Sequence, residues 1–105
     1  MKYIITSSGA GLNSKLDERF GRCNWFCLWD SELKNAQFIK NMHKNLNGGA
    51  GTKAAEMTAE MDAVKVISGD FGPKAKSLLE KFDIQMIIVN SPEKTVDEII
   101  ASLTP

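Results

Sequence analysis

The sequence predicts an α/β sandwich on a mixed five-stranded sheet, with elements in the order β-β-β-α-β-α-β-α. Three observations lead there. Two short apolar runs late in the chain, residues 63–68 and 85–89, alternate with amphipathic helical patterns, as buried parallel strands do. The opening run Tyr3-Ile4-Ile5 has the same character and belongs beside them. Between these, residues 25–30 and 36–40 flank the turn-forming stretch 31–35, which predicts a hairpin toward one sheet edge.

Each element follows from local pattern. Residues 2–6 form the first strand and run into a small polar loop, Ser7-Ser8-Gly9-Ala10-Gly11. Residues 12–22 are polar and read as irregular. The strand at 25–30 is aromatic and apolar on both faces, with Trp25, Cys27 and Trp29 sharing one of them. After the hairpin, a loop over 41–47 leads to Gly48-Gly49-Ala50-Gly51. Ala54, Ala55, Met57 and Met61 then mark one face of a helix over 52–61. Pro73, following Gly72, suits a first helical position, and Ala75, Leu78, Leu79 and Phe82 form the buried stripe of that second helix. Thr95 and Glu98 have capping-box spacing, and Val96, Ile99, Ile100 and Leu103 give the last helix its core face.

A chain of 105 residues makes one domain with a real core. No apolar run approaches the roughly 18 residues of a membrane helix, and the N-terminal apolar stretch is too short for a signal peptide. Two cysteines, Cys23 and Cys27, do not make a disulfide framework, so the expectation is a cytoplasmic protein with reduced thiols. The formal net charge of zero argues against non-specific nucleic-acid binding. The halves differ, however: residues 1–53 hold eight Lys/Arg against four Asp/Glu, and residues 54–105 hold five against nine. That asymmetry points to a small anionic ligand on the first half.

The glycine patch Gly48-Gly49-Ala50-Gly51 lies in that basic half, at a helix start. Glycines let backbone amides approach a ligand, and the helix terminus adds partial positive charge. Nothing acidic lies between Leu33 and Ala55, while Lys34, Lys40, Lys44 and Lys53 are cationic. In sheets of this kind ligands bind beyond the carboxyl ends of the parallel strands. That rule gathers Ser7 and Ser8, the Gly69-Asp70-Phe71-Gly72 loop and Asn90-Ser91 at one edge. Arg19-Phe20-Gly21-Arg22-Cys23 adds two arginines that can clamp an anion, and a thiol beside Arg22 is expected to have a lowered pKa and to suit soft metals. The same arginines can instead pair with Asp17 and Glu18. His43, the single histidine, can ligate metal from the basic loop, with Met42 a weak thioether beside it. Asp70 lacks a second acid and is equally a turn former. Ser7 and Ser8 have no His–Asp partnership, and Gly48–Gly51 lacks the Lys-Ser/Thr ending of a P-loop, so no catalytic set is visible.

Phe20-Gly21-Arg22 ahead of an aromatic strand, Asn41 with Gly48-Gly49-Ala50-Gly51, and Ser68-Gly69-Asp70-Phe71-Gly72-Pro73-Lys74-Ala75 resemble, in order and in register from about residue 2 to 103, the dinitrogenase iron-molybdenum cofactor biosynthesis family. Ile5-Thr6-Ser7-Ser8-Gly9 and Leu16-Asp17-Glu18-Arg19 fit the same pattern, whereas Met42 stands where relatives often have proline. The resemblance implies a ribonuclease-H-like three-layer sandwich without the carboxylate cluster that hydrolysis needs. It also implies a carrier of an iron-sulfur, iron-molybdenum or molybdenum-copper sulfide cofactor during assembly or delivery. The expectation is therefore a non-enzymatic binder of an anionic metal–sulfur cofactor, monomeric or weakly dimeric, working with a cofactor-assembly protein and with neither nucleic acid nor membrane. Its expected contacts are Ser7, Ser8, Arg19, Gly21, Arg22, Lys44, Gly48, Gly49, Ala50, Gly51, Gly69, Asp70 and Gly72, with Cys23 or His43 supplying at most one or two metal bonds. Two other readings stand beside it: a binder of a nucleotide or phosphorylated metabolite on the same edge, and a regulatory protein docking its partner through exposed Trp25 and Trp29.

Overall fold

A computed structural model describes residues 1–103. The strands are β1 (Lys2–Ser7), β2 (Trp25–Asp30), β3 (Asn35–Lys40), β4 (Lys65–Ser68) and β5 (Gln85–Ile88). The helices are α1 (Ala50–Glu60), α2 (Pro73–Lys81) and α3 (Val96–Leu103). All five strands join one mixed sheet in the spatial order β3-β2-β1-β4-β5. β1, β4 and β5 run parallel, and β2 is antiparallel to both its neighbours. The hairpin therefore occupies one edge and β5 the other.

Both faces of the sheet are covered, which is why its central strands are apolar throughout. On one face Ile4, Phe26 and Val66 pack with Ala54 and Ala55 of α1 and with Ala75 and Leu79 of α2. On the other, Tyr3, Ile5, Cys27, Trp29 and Ile67 pack with Val96, Ile99 and Ile100 of α3. The result is a helix–sheet–helix sandwich. Among the described residues no helix is long and apolar enough to cross a membrane.

Two element starts move by two residues from their expected places, each for a backbone reason. Helix α1 begins at Ala50 rather than at residue 52, because Gly49 adopts a left-handed conformation (φ 80°) as its N-cap. Ala50 and Gly51 are thus already helical. Strand β4 begins at Lys65 rather than at residue 63. Asp62, also left-handed (φ 58°), closes α1, and the Ala63 amide still donates back to Thr58 O at 3.3 Å.

The largest departure concerns residues 12–22. They form no regular element, as expected, but they are strapped across the carboxyl ends of the strands. Asp17 N donates to Thr6 O at 3.1 Å, and the Thr6 hydroxyl donates to Asp17 O at 2.6 Å. Leu16 bridges to Ser7, and Arg19 to Asp70. The strap then reaches α3: Leu16 N donates to Lys94 O, Val96 N to Ser14 O and Asp97 N to Leu12 O, each at 2.9 Å.

Candidate functional site

The strap decides which part of the ligand edge stays open. Ser7, expected in the site, is fully buried, and its Oγ donates to Gly9 O at 2.7 Å. Ser8 remains exposed. Gly69 is covered by Glu18: a Cβ on Gly69 would lie 2.7 Å from Glu18 Cα. Asp70 serves its turn, Oδ1 accepting from Phe71 N at 2.8 Å. The N-terminus of α3 is closed as well. Its first amides bond the strap, and the Thr95–Glu98 capping box forms reciprocally, Thr95 N to Glu98 Oε1 at 3.0 Å and Glu98 N to Thr95 Oγ1 at 3.2 Å.

What stays open are the starts of α1 and α2. Neither Gly49 nor Gly72, the two N-cap residues, supplies a side-chain cap, and neither first turn holds an acid. The helices meet close to these ends, where a Cβ on Gly51 would lie 3.2 Å from Ala75 Cβ. Two sets of unsatisfied backbone amides thus share one edge. Gly21 is pressed against them. A Cβ on Gly21 would sit 2.6 Å from both Gly51 Cα and Gly51 N. The Phe20–Cys23 turn and the glycine patch are thus in direct contact. The expectation for Ala50 is corrected: it is buried beneath the helix start rather than facing a ligand.

The basic loop is organised around Asn41. Its buried amide donates to Gly21 O at 3.0 Å and Cys23 O at 2.9 Å, while Oδ1 accepts from His43 N at 3.1 Å. Arg22 Nη1 donates to Lys44 O at 2.8 Å, and Lys44 Nζ to Asn24 Oδ1 at 2.7 Å. The two arginines do not form the expected joint clamp. Arg22 braces this loop, whereas Arg19 pairs with Asp17 at 3.5 Å.

Beside this loop, between β3 and α1, lies a cleft of about 370 Å³. Phe26 and Ile39 line it from the sheet, Met57 and Met61 from α1, and Met42 and His43 from its rim, with Lys40 and Lys53 balanced by Glu56 and Glu60. Met57 and Met61, expected on the buried face of this helix, do pack against the core, but both are only partly buried and so also line the cleft.

Cys23 overturns its expectation. Its side chain is fully buried in the core under α1 and α2, and its pKa is pushed up to about 12, chiefly by burial and then by the charge of Asp17, against a smaller opposing pull from the Asn41 amide. Arg22, whose charge was to lower it, is turned toward Lys44. Cys27 lies on the opposite face of the sheet, and burial raises its thiol to about 12 too. Among the described residues no three His, Cys, Asp or Glu side chains converge as a metal cage. A cluster that needs several protein thiolates does not fit this site.

The buried thiols make a prediction. The folded protein should leave Cys23 and Cys27 unreactive toward a thiol reagent such as DTNB, and both should react once it is unfolded; rapid reaction of the native state contradicts the assignment. Because both folded-state pKa values are raised, the associated stability is intact below the ordinary thiol range. It falls as pH rises from 9.0 toward about 12, with a limiting slope of about 1.4 kcal/mol per pH unit for each thiol. Alkaline denaturation monitored by circular dichroism reads this directly.

Trp29 is buried and Trp25 half-buried, which removes the exposed tryptophan pair on which partner docking was to rest.

Comparison with known proteins agrees with this architecture. The orange protein from Desulfovibrio gigas, in its apo form, superposes with a TM-score of 0.90 at 29% identity, covering 97% of this chain and 85% of that one. A putative NifB protein from Thermotoga superposes at 0.83 with the same coverages, and its 24% identity speaks for the fold alone. An uncharacterised protein of Methanocaldococcus jannaschii is 33% identical over 91 residues, 84% of this chain and 75% of that protein. The sequence pattern described as dinitrogenase iron-molybdenum cofactor matches residues 1–104. With a match that spans essentially the whole chain, the protein belongs to the dinitrogenase iron-molybdenum cofactor family.

Proposed function

We propose that the protein binds and carries, without catalysing a reaction, a preformed anionic metal–sulfur cofactor at the open end of α1 and α2. The observation that carries this reading is the pairing of two uncapped helix starts, packed through Gly51, with a methionine-lined cleft beside them. Backbone amides of the Gly48–Gly51 and Gly72 turns face the anion's negative surface and supply the attraction, since along the cleft Lys40 and Lys53 are balanced by Glu56 and Glu60. Thioethers are soft and polarisable, so Met42, Met57 and Met61 suit a sulfide-rich surface better than a strongly hydrated phosphate. His43 on the rim is the residue that can add a metal bond; Cys23 supplies none. In this reading Arg22, Lys44 and Gly21 shape the site, while Ser8, Asp70 and Arg19 lie along its margin.

Family membership and the 29%-identical relative described in an apo form, a protein that takes a ligand, support the same conclusion. The 3-2-1-4-5 sheet with an antiparallel β2 supports the ribonuclease-H-like label. A cofactor-assembly protein would be the source or recipient of the cargo.

Anaerobic reconstitution with iron, molybdate, copper and sulfide, followed by desalting, metal analysis and visible absorption, tests the proposal. The expected result is a coloured protein that keeps its metal in excess phosphate and loses it when Lys53→Glu makes the balanced cleft net acidic. A colourless product without metal overturns it. Retention of ATP in place of metal moves the assignment to the phosphate reading.

A further inference from the structure

Two strands edge the sheet, and only one of them is guarded. β3 is preceded by Lys34, ends in Lys40 and carries Asn35 and Gln37. Charged and polar residues of this kind discourage pairing with another chain. β5 reads Gln85-Met86-Ile87-Ile88, with no charge and no proline, and Ile88 is 59% exposed. Its hydrogen bonds fix which way it faces. Gln85 N donates to Val64 O and Val89 N to Ser68 O, both at 3.0 Å, within a regular parallel register. Gln85, Ile87 and Val89 therefore turn their amides toward β4. Met86 and Ile88 turn both N–H and C=O outward, with no partner among the described residues.

We propose that a second copy of this chain pairs with β5, antiparallel, about a two-fold axis through Ile87. In that register Met86 of each copy lies opposite Ile88 of the other, and each pair exchanges both of its outward groups, giving four backbone hydrogen bonds. A shift of register by two residues halves that number. Ile87 meets its own symmetry mate as a non-hydrogen-bonded pair. The side chains of Met86 and Ile88 come together on the α2 face of the sheet.

Sedimentation of the wild-type protein up to about 1 mM, the range in which weak association shows, should give a mass rising toward twice that of the monomer. Met86→Pro removes an outward N–H without touching the bonds to β4, and Ile88→Lys sets like charges across the dyad. Each should weaken association about tenfold or more, with circular dichroism showing the fold retained. Directly opposed non-hydrogen-bonded residues have Cα atoms about 4.5 Å apart, within disulfide range. Under mild oxidation the Ile87→Cys variant should therefore cross-link into dimers, and the Gln85→Cys variant should not. A monomer mass at every concentration overturns the proposal. So does association unchanged by both edge substitutions, or cross-linking no faster at position 87 than at 85.

Discussion

Gly21→Ala is expected to cost about 3 kcal/mol or more, near the top of the range for overpacking, and to lower Tm by on the order of 12 °C or more in a domain of this size. The added methyl would meet Gly51 Cα and N at 2.6 Å and the Ala50 carbonyl carbon at 2.9 Å. All three are backbone atoms, so no side-chain rotation relieves the overlap. Either the turn at 20–23 or the first turn of α1 must move. In both cases the contact that holds the open helix start in place is lost, and cofactor retention should fall with stability. The neighbouring glycines supply the controls. A methyl on Gly48 would meet nothing within 4 Å, so Gly48→Ala should be close to neutral. Gly49→Ala also has open space around it, but its φ of 80° penalises any side chain, by about 1–2 kcal/mol. Thermal melts of the three variants should rank Gly21→Ala as the most damaging and Gly48→Ala as the least. A harmless Gly21→Ala would mean that the turn does not pack on α1.

Asn41→Ala should be the second most damaging change described here, at about 2–4 kcal/mol. It deletes a buried side chain that donates twice and accepts once, stranding the carbonyls of Gly21 and Cys23 and the amide of His43. An unpaired buried polar group costs more than a typical hydrogen bond contributes, and the Cys23 carbonyl is the least accessible of the three. Asn41→Asp keeps the acceptor for His43 but loses both donors and points negative charge at two carbonyls, so it should be no better than alanine. Chemical denaturation compares the pair, and an Asn41→Asp variant as stable as wild type would refute the assigned bonds. Because Asn41 ties the Gly21 turn to the basic loop, both variants should also weaken ligand retention.

The fold was largely legible because its signals are local. Pro73 after Gly72 marked the start of α2, the Thr95–Glu98 spacing marked α3, and the turn-forming stretch 31–35 between 25–30 and 36–40 marked the hairpin. The site was legible in composition but not in arrangement. The strap over 12–22 is held largely by backbone bonds to residues remote in sequence, which leave no side-chain periodicity to read. Cys23 was legible as a thiol beside Arg22, but not as one that turns into the core on the face opposite Cys27. Gly21 and Gly51 each read as a loop glycine. That each exists for the other is a tertiary fact with no local mark.

The strap also sets a folding order. Its bonds join residues 12–16 to residues 94–97, nearly the whole chain apart, whereas the hairpin closes through a short turn. Closing so long a loop is entropically expensive and slow relative to local pairing. The hairpin and the α1–α2 layer can therefore assemble early, with docking of α3 and locking of the strap as the last cooperative step. The helix that meets the strap through its first turn is the one whose arrival locks it, making α3 the latch of the domain.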